Sequence, residues 1–220
     1  MKENSKKRIS SWSFFGLAMD AFLGLGLEMV ILIGEMQVYG QGLAQMNTWQ
    51  TLLHWGLTCL VWGLTTCFLL NQSKKKYDFN IWENQAVPDK KNIIIAGILV
   101  LILIAQATLS WKGFKPYMEF QGKKVIIFAG QYIYYLFETA IFMLIVIFGQ
   151  KFGEMLFNKK SIPWGGILLA ITWASVHILT KDFRTGIESI FCALLYGMIY
   201  LVMKKNPKWS YVLIAISFMC

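Results

Sequence analysis

Long apolar stretches alternate with short polar segments along this chain. An apolar stretch of roughly 20 residues is long enough to cross the hydrocarbon core of a bilayer as a helix. The pattern predicts six spans and a shorter terminal apolar run, near residues 12–34, 49–70, 93–110, 125–148, 164–179, 186–203 and 209–219. We therefore expect an all-α, polytopic transmembrane bundle of about seven helices.

The composition supports one membrane domain over residues 1–220. Hydrophobic residues make up 56% of the 220 residues and charged residues 15%, whereas soluble domains carry about a quarter charged residues. No polar segment is long enough to build a second core. The bilayer is thus the first expected partner of the chain.

Basic residues gather on one side of the predicted bundle. If residue 1 is cytoplasmic, fifteen of the 21 Lys and Arg residues fall in cytoplasmic segments, which is the pattern of the positive-inside rule. The net charge of +9 therefore indicates a membrane surface and no nucleic acid. The basic segment 1–10 precedes a long apolar stretch without a small-residue cleavage site, which favours a retained first span. Lysine far outnumbers arginine, which favours a bacterial cell membrane protein.

Six ionisable side chains fall inside the predicted spans. Each costs roughly 2.5–3.5 kcal/mol at the bilayer centre, so each needs a partner or a function. We expect His54 at the membrane interface and the others inside the bundle or along a cavity. The six are Asp20, Glu28, His54, Glu138, His177 and Glu188.

Glu138 lies well inside the fourth span, on a stripe at helical spacing. The stripe consists of Gln131, Tyr134, Tyr135, Glu138 and Phe142, and it should face the bundle or a cavity that holds water, because lipid offers it no partners. Two interpretations stay open. Glu138 is either a structural hydrogen-bonding group or a general base.

His177 follows Trp173 by four residues, so the two rings share one helix face. The fourth span begins and the fifth ends on the same side of the membrane, which lets Glu138 and His177 approach each other from one side. They would form a water-activating pair. The alternative is an interior histidine with a purely structural hydrogen bond.

No metal or cofactor site is expected. The chain has two histidines, no HExxH motif, and four cysteines that all lie in apolar runs. A metal site needs three or more convergent ligands. The cysteines are expected to be reduced, small apolar residues.

The stretch 120–208 resembles the CAAX protease and bacteriocin-processing family of intramembrane glutamic endopeptidases. Glu138 to Met143 lies where that family has Glu-Glu-x-x-x-Arg, with Phe142 at the aromatic position before the Arg. Trp173 to His177 resembles its Phe-x-x-x-His motif. The segment 186–204, with its internal glycine, resembles the helix that follows in the family.

The resemblance implies a peptidase in which Glu138 activates the attacking water and His177 stabilises the oxyanion. Thr139, Phe142 and Trp173 would support this pair, and the partner would be a peptide or membrane-protein substrate. The charge pattern places the pair on the outer side of the membrane, whereas the CAAX-processing relatives act on the cytoplasmic side.

The chain departs from the family pattern at several positions. Thr139 replaces the second Glu, Met143 replaces the Arg, and residues 209–220 contain neither His nor Asn. One alternative is therefore a proteolytically inactive relative that binds a peptide or a membrane partner, for example in bacteriocin self-immunity. Another is a small transporter subunit that uses Asp20, Glu28 and Glu138 along a polar path.

Overall fold

A computed structural model describes residues 9–220, and this part of the chain is helical without a β-strand. The basic segment at residues 1–8 lies outside the described residues. A π-helical turn, Ala170–Ala174, lies in the middle of one helix, Trp164–Thr180, and divides it into two α-helical parts. The α-helices of the described part are α1 (Ser11–Tyr39), α2 (Thr48–Tyr77), α3 (Lys90–Ser110), α4 (Lys115–Phe120), α5 (Val125–Phe157), α6 (Trp164–Leu169), α7 (Ser175–Thr180), α8 (Phe183–Val202) and α9 (Pro207–Met219).

The predicted all-α fold class is confirmed. Five helices, α1, α2, α3, α5 and α8, are long and apolar enough to cross a membrane. The helix Trp164–Thr180 and the 13-residue α9 are shorter, and together these seven elements correspond to the seven predicted segments. Helices α1, α2 and α5 extend beyond the predicted ends because polar end residues continue the helical hydrogen bonding after the apolar signal stops.

Local sequence signals fix the ends of the helices. Asn47 and Gln50 form a capping box at the start of α2, and the side chain of Asp89 accepts from the backbone N–H of Asn92 at the start of α3. Gly40 ends α1 in the left-handed conformation, with φ of 66°, which glycine adopts without a Cβ penalty. These caps satisfy backbone groups that hydrocarbon could not.

Helix α5 is the central helix of the bundle. It packs against α1 and α2 on one side and against α6 and α9 on the other. Every residue from 141 to 150 is buried, so this part of the helix is surrounded on all sides. By contrast, large apolar side chains are exposed along the outer surfaces of α1, α2 and α3, as expected for lipid contact; they include Val30, Ile33, Leu60, Leu64 and Leu101.

Contacts between loops establish which helix ends share a side. At one end, the Asn84 side chain donates to the carbonyls of Lys204 at 2.8 Å and Lys205 at 2.9 Å, and Lys205 pairs with Glu154 at 2.5 Å. We call this end the lysine face. At the other end, Lys115 of α4 donates to the carbonyl of Phe218 in α9. We call that end the cavity face.

Glycines allow α6 to approach two neighbouring helices closely. A Cβ at Gly165 would lie 2.0 Å from the carbonyl oxygen of Val146 in α5, and a Cβ at Gly197 would lie 2.5 Å from the Cα of Gly166. Small residues at helix crossings let backbones touch, which is a main source of packing energy in membranes. These contacts fix the helix Trp164–Thr180 against α5 and α8.

We predict that Gly165→Ala destabilises the protein, because the new methyl group would meet backbone atoms that cannot rotate away. Overpacking of this kind costs about 1–3 kcal/mol or more. Thermal unfolding of the detergent-solubilised protein should show a lowered midpoint. Gly97→Ala is the matched control, since a Cβ there has no neighbour within 4 Å. Equal midpoints for the two variants would contradict the close contact.

Candidate functional site

A cleft of about 940 Å³ lies between the helices, in the half of the bundle nearest the cavity face. Helices α1 and α5 contribute one wall, and α3, α7, α8 and α9 contribute the others. Its lining combines aromatic and aliphatic side chains with several ionisable groups. The ionisable groups are Glu28, Lys115, Glu138, His177, Lys181, Asp182, Arg184, Glu188, Cys192, Tyr134, Tyr135 and Tyr196.

The π-helical turn places the aromatic and imidazole rings of the fifth span. A π turn widens the helix by one residue and leaves backbone carbonyls with displaced partners. Here the hydroxyl of Thr172 donates to the carbonyl of Leu168 at 2.8 Å, and that of Ser175 donates to the carbonyl of Ile171 at 2.5 Å. The hydroxyls thereby satisfy the carbonyls next to the turn, which carries Trp173 toward α5.

Trp173 contacts both of the residues predicted to act together. Its indole Nε1 donates to Glu138 Oε1 at 3.1 Å, and its backbone carbonyl accepts from His177 Nδ1 at 2.9 Å. The two ring centroids of Trp173 and His177 are 4.7 Å apart. Glu138 and His177 both line the cleft, so the structure brings the two predicted residues to one cavity with Trp173 in contact with each.

The indole of Trp173 also spans the difference in depth between Glu138 and His177. Glu138 lies thirteen residues into α5, about 20 Å from its start at 1.5 Å per residue, whereas His177 lies three residues before the end of α7. Trp173 begins one turn deeper than His177 and reaches across to the carboxylate. Its role as a hydrogen-bond donor was not predicted, since the motif position usually holds a phenylalanine, which has no N–H.

The ring of Phe142 packs against the indole of Trp173. Its ring lies 5.3 Å from that of Trp173 and stacks on Tyr196 at 5.5 Å with an interplanar angle of 9°. Phe142 is fully buried, so it holds the indole in place without reaching the cleft. It occupies the position expected of a supporting residue in the motif.

Two positions that depart from the family pattern lie away from the cleft. Thr139 is fully buried, and its hydroxyl donates to the carbonyl of Tyr135 at 2.8 Å. Met143 is buried among the apolar residues of the core. Neither side chain lines the cavity, so Glu138 is the one carboxylate that this motif contributes to it.

His54 is fully buried and lies between two carboxylates of α1, so it packs inside the protein. The expected position at the membrane interface concerns its depth in the bilayer and stays a prediction. Its Nδ1 donates to Glu35 Oε2 at 2.6 Å, and its Nε2 lies 3.4 Å from Glu28 Oε1. Both nitrogens can donate only in the imidazolium form. The flanking tryptophans favoured an interfacial position. The burial of His54 was not predicted, because the sequence of one helix does not show which of its faces a neighbouring helix covers.

Glu35 is a functional candidate that the sequence reasoning missed. It lies beyond the predicted end of the first span, yet it is buried, and its Oε1 has no hydrogen-bond partner within residues 9–220. The seven-residue spacing from Glu28 puts both carboxylates on one face of α1, which is the signal that could have found it. Asp20, by contrast, is exposed and lies outside the cleft, so the three carboxylates proposed for a transport path do not meet.

The polar stripe on α5 connects these groups. The hydroxyl of Tyr134 donates to Glu28 Oε1 at 2.8 Å, and that of Tyr135 donates to Glu119 Oε1 at 2.7 Å. Gln131 also donates to Glu119. The stripe therefore faces the protein as predicted, and it joins α5 to α1 at one point and to α4 at another.

Several ionisable groups at the rim of the cleft have hydrogen-bond partners within the protein. Arg184 donates to Glu188 at 2.8 Å. The hydroxyl and backbone N–H of Thr185 bond to Asp182 and hold the pKa of that carboxyl below its usual value. Burial lowers the pKa of Lys115, whose ammonium group donates to a backbone carbonyl of α9. These groups fix the ends of α4, α8 and α9 around the opening.

Within residues 9–220, no three His, Cys, Asp or Glu side chains converge in a way that could hold a metal ion. The four cysteines are free thiols.

No protein-family model, curated protein or solved structure matches this chain. The family resemblance therefore depends on the motif residues themselves and remains an expectation.

We predict that His54→Ala destabilises the protein strongly, because it leaves Glu28 and Glu35 without their shared partner. Breaking a buried ion pair from one side costs about 3 kcal/mol or more. His177→Ala is the matched control, since His177 is only half-buried and bonds to one backbone carbonyl. Thermal unfolding in detergent should give a much lower midpoint for His54→Ala than for the control. Similar midpoints would contradict the buried cluster.

Proposed function

We propose that this chain is an intramembrane glutamic endopeptidase of the CAAX protease and bacteriocin-processing type, acting on a peptide or on the end of a membrane-associated protein. The observation that carries the proposal is the shared contact with Trp173, which brings Glu138 and His177 to one open cleft. The cleft has aromatic walls for an apolar segment and an opening at one membrane face.

Glu138 is the proposed general base. Its Oε1 accepts from the indole of Trp173, which orients the carboxylate and leaves Oε2 to accept a proton from water. The water oxygen then attacks the peptide carbonyl carbon. When the C–N bond of the intermediate breaks, the carboxyl of Glu138 returns its proton to the departing amine, so the proton count balances.

His177 is the proposed oxyanion partner. Its Nδ1 must be protonated, because the carbonyl of Trp173 can only accept. Nε2 is the nitrogen left for a substrate, and it can donate to an oxyanion only when the ring is an imidazolium. The oxyanion role therefore requires the charged form, which also places a positive charge beside the negative charge of the intermediate.

A non-catalytic peptide-binding relative, as in bacteriocin self-immunity, is the second candidate. It is favoured by the burial of Thr139 and Met143 away from the cleft, since the motif then contributes one carboxylate and no arginine to the cavity. Such a protein would bind a peptide in the same cleft without cutting it.

We predict that Glu138→Gln reduces peptide cleavage about 100- to 10,000-fold, the usual contribution of a general base. His177→Ala should reduce it about 100- to 1000-fold, as for a lost oxyanion donor. The assay uses the full-length protein in liposomes with a library of quenched fluorescent peptides. Glu83→Gln, which removes an exposed carboxylate outside the cleft, should keep the wild-type rate.

The same assay separates the two candidates. Wild-type rates that fall as the pH rises through the titration of His177 would support the imidazolium role. Peptide binding without cleavage, equal in wild type and both variants, would contradict the peptidase and favour the binding protein.

We further propose that the lysine face is cytoplasmic, in a bacterial cell membrane, and that the cleft opens on the outer side. The basic segments 74–76, 90–91 and 204–208 all belong to the lysine face, whereas the cavity face carries fewer basic residues. Positive charges in short loops favour the cytoplasmic side.

This orientation predicts the result of cysteine labelling on intact cells. In a variant without native cysteines, Lys123→Cys should react with a membrane-impermeant maleimide, because it lies next to the start of α5 on the cavity face. Lys160→Cys, in the loop after α5, should react only after the cells are permeabilised. Both positions are exposed, so the reverse labelling pattern would overturn the orientation.

A further inference from the structure

Glu28 is a second carboxylate in the cleft, and the proposed hydrolysis does not use it. It comes from α1, on the wall next to Tyr134, and its side chain is 27% exposed. Its Oε1 accepts from the Tyr134 hydroxyl at 2.8 Å and lies 3.4 Å from His54 Nε2. Its Oε2 has no hydrogen-bond partner within residues 9–220 and is not buried. One oxygen is thus fixed by the protein and the other is free to bind a ligand.

The cluster behind Glu28 contains two carboxyl groups and one imidazole. Glu28 and Glu35 share one imidazole, that of His54, which is completely buried. Even a fully protonated imidazole neutralises only one of two ionised carboxylates. The imidazole lies closer to Glu35, at 2.6 Å, than to Glu28, at 3.4 Å. Glu28 is therefore the less closely paired carboxyl group, and it is the one that lines the cleft, where a cation would act as its counter-ion.

The cations of the cleft do not supply that counter-ion. Arg184 pairs with Glu188 at 2.8 Å, and Lys115 donates to a backbone carbonyl of α9. Lys181 lies at the end of α7, on the rim. None of these three forms an ion pair with Glu28 among the described residues.

Aromatic side chains line the cleft on the same wall as Glu28. Phe22 of α1 and Tyr134 of α5 are both half-buried and line it, and the Tyr134 hydroxyl reaches Glu28. Trp62 packs against Tyr134 with ring centroids 4.9 Å apart and is itself buried. A carboxylate beside aromatic faces suits an ammonium or guanidinium group, which is attracted to both. The neighbouring apolar side chains suit the hydrocarbon part of the same ligand.

We propose that Glu28 is a specificity-determining residue that binds a basic side chain, lysine or arginine, of an otherwise apolar peptide in the cleft. This inference rests on the proposed function in taking the ligand to be the peptide substrate. Glu28 selects the peptide, whereas Glu138 acts on its backbone. The basic side chain completes the charge balance of the cluster of Glu28, His54 and Glu35.

The test measures binding alone, with two synthetic peptides and the full-length protein in phosphatidylglycerol nanodiscs. Both peptides are Leu- and Ala-rich, dye-labelled, and blocked at both ends. One carries a single lysine, and the other carries uncharged norleucine at that position. Fluorescence anisotropy gives the dissociation constants after binding to empty nanodiscs of the same lipid is subtracted, because an anionic surface itself attracts lysine. We expect the lysine peptide to bind wild type about tenfold more tightly, the effect of one partly desolvated cation site.

Variants of the protein test whether the preference for the lysine peptide depends on Glu28. Glu28→Gln should bind both peptides equally, and Glu28→Asp should retain part of the preference for lysine. Asp20→Asn is the matched control, because it removes a carboxylate from the same helix outside the cleft, and it should keep the full preference. Wild type without a preference would overturn the proposal, and that measurement does not depend on the folding of any variant. A preference that survives in Glu28→Gln would overturn it as well.

Two further outcomes are distinguishable. If adding phosphatidylethanolamine to the nanodiscs abolishes the preference, the site belongs to a lipid ammonium group, and the peptide assignment is overturned. A lysine preference in a protein that never cleaves peptides supports the binding site while contradicting the peptidase. Cleavage without any lysine preference contradicts the binding site alone.

Discussion

The need to satisfy every polar group without water governs this structure. In hydrocarbon an unpaired backbone or side-chain polar group costs several kcal/mol. Caps at the starts of α2 and α3 satisfy backbone groups, and polar side chains in the interior bond across helices. Tyr134 reaches from α5 to Glu28 in α1, and Trp173 reaches from the π turn to Glu138. All four of these residues line the cleft, so the two bonds connect α5 to its neighbours at the site itself.

The need to satisfy polar groups also explains the side chains around the π turn. A widened turn inside a membrane helix exposes carbonyls, and Thr172 and Ser175 satisfy them with their own hydroxyls. The π turn lies at the position from which the indole of Trp173 reaches α5. Such turns are frequent at functional sites, and here the turn orients a donor, the indole N–H of Trp173, that contacts the carboxylate of Glu138 in the cleft.

The two acidic centres of the cleft differ in how they are held. Glu138 accepts one neutral donor, the indole N–H of Trp173. Glu28 accepts a phenol and lies close to a buried imidazole, so it belongs to an extended charged cluster. A carboxylate with one neutral partner suits proton transfer, whereas a carboxylate anchored in a charged cluster suits the binding of a cation. Two helices of one wall, α5 with Glu138 and α1 with Glu28, thus carry the separate tasks of reaction and recognition that we propose.

The amino-acid sequence by itself determined the helical segments, because apolar length and end caps are local properties that hydrocarbon enforces. It also determined that Glu138 faces the protein and shares a side of the membrane with His177, since helical periodicity and the order of spans fix both. Only the tertiary structure decided which helix covers which face. That placed His54 between two carboxylates, brought Glu35 into the core, left Asp20 outside the cleft and put the indole of Trp173 in contact with Glu138. The reason is that a contact between helices depends on their rotation and crossing, which no pattern within one helix records.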